Sequence, residues 1–221
     1  MQPWPWVMLC LLGAYHGLNP GMGWLFALAL GLQEKRRAAV VKALLPIALG
    51  HAAAISVVLI ALHFAQDALP HRAVRIATAA ILFSLGFYRL FRSSHPRGAR
   101  MKAGSKDLFY WSFLMASAHG AGLMLAPVFL AQSMLAMDHS TLGAHAIHGT
   151  HAIPVLASPA VLALAVVLHT LSLLLVAGAL ALLFYQSYEK FGLSLLQRTW
   201  LNFDLLWAIA LLVAAALALL L

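Results

Sequence analysis

Apolar residues run in long blocks along this chain, and short stretches between them gather nearly all of its charge. Blocks of about 18 or more apolar residues are long enough to cross the ~30 Å hydrocarbon core of a bilayer as helices. The pattern predicts six spans, at about residues 4–32, 42–66, 73–91, 108–136, 156–186 and 199–221. The first, fourth and fifth exceed the ~20 residues of a straight span, so tilt, a break or an extramembrane turn is expected in each. The expected fold class is all-α, a polytopic membrane protein forming one integral membrane domain over residues 1–221.

Within the first block the apolar pattern fails at His16-Gly17-Leu18-Asn19-Pro20-Gly21-Met22-Gly23. Pro20 has no N–H, so the His16 carbonyl is expected to lose its helical partner. Freed backbone at membrane depth is tolerated only where it is buried in protein or lines a polar cavity. The stretch therefore predicts a broken helix beside an internal site. A second version runs from Ser117 to Pro127, with His119-Gly120, Met124 five residues after the histidine, and a proline. Two such elements predict a duplicated transporter half, with the first helix of each half broken.

Composition confirms the class: 63% of the residues are hydrophobic, 9% are charged, and the mean hydropathy is +0.91. The net charge of +8 then reports orientation in a membrane rather than affinity for nucleic acid. The first, third and fifth connections hold Lys35, Arg36, Arg37 and Lys42, then Arg89, Arg92, Arg97, Arg100, Lys102 and Lys106, then Lys190 and Arg198. The second holds only Arg72 and Arg75, and the fourth, Asp138 to Ser158, neither Lys nor Arg. The positive-inside rule puts the basic connections in the cytoplasm and both termini outside it, in a bacterial-type inner membrane. Spans one and four then run in opposite directions, which predicts two inverted three-helix repeats: residues 1–95 and 108–221, joined by a basic cytoplasmic linker at 96–107. The N-terminus carries no basic side chain before its apolar run, so no cleavable signal is expected. The single cysteine, Cys10, excludes an internal disulfide, and no G-x-x-x-x-G-K-[ST] motif offers ATP hydrolysis.

Helical rise gives depth. His16 falls roughly 15–18 Å from the Trp4/Trp6 level, His119 about 18–20 Å from Lys106, His51 about 13 Å from Lys42 and His169 about 15 Å from Pro159. All four lie near the middle of the core, and an intramembrane polar residue is a functional candidate because its burial costs free energy. Four imidazoles without an acidic partner at that depth suit a soft or borderline metal, and the thioethers of Met22 and Met124 favour Cu(I). Against this stands the plain alternative that each ring bonds a neighbouring carbonyl and pins helix packing, with the methionines as packing residues. Asn19 is read as a substrate contact or as the group that orients His16. Gly13, Gly17 and Gly21 form a small-residue stripe that permits close helix contact.

Two further features are polar. The fourth loop, residues 138–158, carries His139, His145, His148 and His151, a tract suited to capturing metal outside the membrane. Asp204 lies roughly 9 Å into the last span, where it either couples protons to transport or pairs with Arg198.

His16-Gly17-Leu18-Asn19-Pro20-Gly21 resembles the His-Gly-Leu-Glu-Pro-Gly signature in the first span of nickel/cobalt permeases of the NicO type, and Gly50-His51-Ala52 resembles the Ser-His-Thr element of their second span. The segment from Pro20 to Leu32 is similar to HupE-like permeases. The resemblance covers mainly residues 13–56 and implies a metal-ion permease of the LysE-type superfamily. Two positions depart from the family pattern. Met22 or Gly21 stands where the family usually has a second His or an Asp, and Asn19 replaces the acidic residue before the proline. Such a site either prefers a softer ion or no longer carries metal.

The function expected is a permease for a transition-metal cation of the Ni, Co, Cu or Zn class, not an enzyme. His16, His51, His119 and His169 form the midplane site, with Met22 and Met124 beside it. Partners are the lipid bilayer, the metal ion and, for a homo-oligomer, further copies of the chain; no permanently bound cofactor is expected. The alternatives are a membrane cytochrome with haem between His51 and His169, and a non-transporting accessory protein for a metalloenzyme.

Overall fold

The computed structural model describes residues 4–91, 104–129, 158–191 and 203–220, and all their regular structure is helical. Eight α-helices are found among the described residues: α1 Trp4–Leu18, α2 Trp24–Glu34, α3 Arg37–Ala68, α4 His71–Phe91, α5 Ser105–Ala118, α6 Ala121–Phe129, α7 Pro159–Phe191 and α8 Phe203–Leu220. Helices α3 and α7 are each long and apolar enough to cross a membrane, and α5 with α6, bent by 52°, pass the same test only when taken together, as a broken span or a re-entrant loop. The expected 4–32 span is indeed interrupted: a short 3-10 turn, Pro20–Met22, separates α1 from α2. Helix α5 begins at Ser105, inside the stretch expected to be linker, and the Asp107 carboxylate caps it by accepting from the Gly104 N–H at 2.9 Å.

Helix α1 packs along α7, α3 packs on both α5 and α7, α2 lies against α3 and α7, and α4 pairs with α8. The apolar core falls into two end clusters and one at the side. One end joins Trp24, Ala27 and Leu28 of α2, Val40, Ala43 and Ile47 of α3, Leu108 of α5, and Ala177, Ala181 and Tyr185 of α7. The other joins Leu9 of α1, Ile55, Leu59 and Leu62 of α3, Val74 of α4, Leu125 and Phe129 of α6, and Ala165 of α7. The first end also bears the exposed Arg37–Glu189 ion pair, 2.7 Å between the start of α3 and the end of α7. These two long helices are therefore antiparallel, and the basic residues of the first connection lie at the end where α5 starts and α7 finishes. On the remaining surface, Leu45, Val57, Phe64, Leu114, Val167 and Leu175 point outward, as apolar side chains do when lipid covers them.

Candidate functional site

Along three helices a histidine falls between the two end clusters: His16 between Leu9 and Trp24, His51 between Ile47 and Ile55, His169 between Ala165 and Ala177. All three are 0% exposed. The His16 ring centre lies 5.4 Å from that of His51 and 5.0 Å from that of His169, near-perpendicular to both. The His51 and His169 rings lie parallel, 5.5 Å apart. Three of the four expected ligands thus meet in one buried trio.

The fourth, His119, is 3% exposed and within electrostatic reach of His16. It stands across the first break: a Cβ on Gly21 would meet the His119 Cε1 at 3.9 Å and the Asn19 Oδ1 at 3.2 Å.

Close approach of backbones makes the trio. A Cβ on Gly13 would overlap the His169 carbonyl, so only glycine lets α1 sit this near α7. At that range the His169 Nδ1 reaches across to the Leu9 carbonyl at 3.1 Å. His16 uses its own helix, Nδ1 to the Leu12 carbonyl at 2.7 Å, and His119 does the same with Met115, also at 2.7 Å. A carbonyl only accepts, so in each of these rings Nδ1 carries the proton and Nε2 the lone pair. His51 is held differently. Gly50 fits α3 against the Phe109 carbonyl of α5, and it is Ser112 that crosses this interface, donating to the Ile47 carbonyl at 2.7 Å. Both ring nitrogens of His51, and Nε2 of His169, are buried without a hydrogen-bond partner among the described residues. A buried polar atom without a partner costs about 1–3 kcal/mol.

At the first break the helical donor that Pro20 cannot supply is replaced locally. The His16 carbonyl is not left open by Pro20, because the Asn19 N–H takes it at 3.1 Å. The Leu18 carbonyl accepts from the Trp24 indole at 3.2 Å. Asn19 caps the 3-10 turn, its Oδ1 accepting from the Gly21 N–H at 2.9 Å, so that oxygen serves the backbone. The carbonyls of His16, Leu18, Asn19 and Pro20 thus all find donors within the break or just beyond it. Of the glycine stripe, Gly13 and Gly17 face α7, while Gly21 lies in the turn and faces Met115 and His119. The second break is made by Gly120, at φ +68°, and not by Pro127, which lies within α6.

Met22 and Met124 share a third apolar cluster with Leu82 of α4 and Leu211, Ala214 and Ala215 of α8. Asp204 lies in the first turn of α8. His139, His145, His148 and His151 lie outside the described residues. Sequence reasoning missed the roles of Trp24 and Ser112. An indole six residues past an open carbonyl and a serine on a helix face were the available signals. Among the described residues, no group of three or more His, Cys, Asp or Glu is arranged to hold a metal ion. Comparison with family models, with curated proteins and with solved structures finds no match.

Proposed function

We propose that this protein is an integral membrane permease for a transition-metal cation, carrying its cargo through a site built on His16, His51 and His169 with His119 beside it. The observation that carries this reading is the buried trio with its partnerless nitrogens on His51 and His169. Three imidazoles bound to one ion at ~2.0–2.1 Å, each ring centre about 1.1 Å behind its nitrogen, have centres roughly 5–5.5 Å apart. The trio's 5.0, 5.4 and 5.5 Å match that spacing. In the arrangement described, the nitrogens are not gathered on a common point, and the adjustment open to the trio without breaking a hydrogen bond is a turn of the His51 ring about χ2, a soft torsion. Transient binding of this kind suits cargo better than a resident cofactor.

The reading includes six spans arranged as two inverted repeats in a bacterial-type inner membrane, with both termini outside the cytoplasm. The packing supports the repeat. Exchanging α1 with α5, α3 with α7 and α4 with α8 turns the α1–α7 contact into the α5–α3 contact and returns the α4–α8 pair to itself. Rocking of one half against the other would expose the trio to either side in turn. The haem alternative loses ground because the His16 ring occupies the region beside both His51 and His169, where a macrocycle would lie. Asp204, Met22 and Met124 remain candidates for the pathway around the site.

The test is flux of Ni, Co, Cu and Zn into liposomes holding the purified chain, compared with a His16→Ala/His119→Ala variant. Transport of at least one ion by the native protein, reduced tenfold or more in the variant, is expected. Absence of both flux and a metal-dependent rise in melting temperature would refute the proposal.

A further inference from the structure

We infer that the trio selects a soft monovalent cation, Cu(I) or its redox-inert analogue Ag(I), over divalent ions; the inference rests on the permease reading above and names its cargo. The argument is one of charge. The chain has six acidic residues, and those within the described helices sit at helix ends: Glu34 closes α2, Asp67 lies in the last turn of α3, Asp107 in the first turn of α5, Glu189 near the end of α7 beside Arg37, and Asp204 in the first turn of α8. Asp138 lies outside the described residues. His16, His51 and His169 are in helix interiors or at the central break, buried between the two apolar end clusters.

Neither are the rings set up to become anionic. The Nδ1 protons of His16 and His169 are held against the Leu12 and Leu9 carbonyls, so each of these rings offers a neutral Nε2. An ion taken by neutral ligands keeps its full charge in the low-dielectric interior. The solvation penalty of that charge grows with its square, so a divalent ion bears roughly four times the cost of a monovalent one of the same size. Imidazole suits ions of both charges, so charge decides: divalent ions recover the cost through carboxylates or retained water, and a monovalent ion has less of it to recover. His51 is the ring free to adjust, since neither of its nitrogens is bonded among the described residues.

The test uses the full chain with His139, His145, His148 and His151 changed to Ser, so that loop binding does not mask the trio. Binding and liposome uptake of Ag(I), and of Cu(I) kept reduced by ascorbate, are measured against Zn(II), Ni(II) and Co(II). At least tenfold tighter binding of the monovalent ions is expected. His51→Met, which keeps a neutral soft donor, should retain Ag(I) and weaken Zn(II) further. His51→Glu, which adds the missing negative charge, should move the preference toward Zn(II) by at least tenfold. If the glutamate variant does not fold, the methionine variant and the native chain still decide. Divalent ions bound as tightly as Ag(I), and lost in His51→Leu, would overturn the charge inference and leave the permease reading standing. A chain that neither binds nor moves any of the five ions would remove both.

Discussion

At the first break Asn19 and Pro20 start a tight turn, Trp24 closes it from the far side, and the helix resumes at once. At the second, Gly120 in the left-handed region bends α5 into α6 with no proline at the break. Each break nevertheless holds a histidine whose Nδ1 donates to the carbonyl four residues back, at 2.7 Å in both. The helices packed against them differ more. The α1–α7 contact is bridged by His169, and the corresponding α5–α3 contact by Ser112. The first contact thus ties its imidazole to the neighbouring backbone, whereas the second gives that task to a hydroxyl and leaves both His51 nitrogens without a partner among the described residues. On the permease proposal, one anchored and one unanchored imidazole would suit a site that must both capture and release.

The largest effect expected from disturbing this comparison is at the two close contacts. Gly13→Val would drive a branched side chain into the His169 carbonyl and should cost about 3 kcal/mol, the upper part of the overpacking range. Gly50→Val against Phe109 should cost the same. Thermal unfolding in detergent measures both; a harmless Gly50→Val beside a damaging Gly13→Val would show that the contacts are not equivalent.

Next come the histidines. His51→Leu removes two partnerless nitrogens, while His169→Leu removes one along with a bond that is made. The His51 variant should be the more stable of the two by roughly 1–2 kcal/mol, with ion uptake lost in both. Equal stabilities would mean that His51 has partners equivalent to those of His169.

The breaks themselves follow. Gly120→Ala places a Cβ on a left-handed backbone, at about 1–2 kcal/mol. Asn19→Ala loses a cap, at about 1 kcal/mol, and Asn19→Asp, which keeps the accepting oxygen but brings a carboxyl to a buried position, should recover only part of that stability. The smallest effect is expected at the exposed Arg37–Glu189 pair, where Arg37→Ala should leave the melting temperature unchanged within error, as exposed pairs usually do.

The height of His16, His51 and His169 along their helices, between the two end clusters, could be read from the sequence, because helical rise converts residue number into height. The angle of each ring around its helix could not. Height alone did not distinguish three rings in mutual contact from a fourth across Gly21, nor did it show Met22 and Met124 turned toward the α4–α8 pair. Pro and Gly announced that the chain would break at 16–23 and near 119, but the groups that satisfy a break come from tertiary packing. Trp24 was legible only as a large apolar residue. Pro127 lies within α6 and does not end it, and the bend falls instead at Gly120, whose φ is positive.

The central claim is that the buried imidazoles, and nothing else in the chain, take the ion. The most direct measurement is the number of Ag(I) ions bound per purified chain, in a background where His139, His145, His148 and His151 are Ser. The account predicts one tightly bound ion, lost completely in the His16→Leu/His51→Leu/His169→Leu variant. Undiminished binding by a folded triple variant would contradict it.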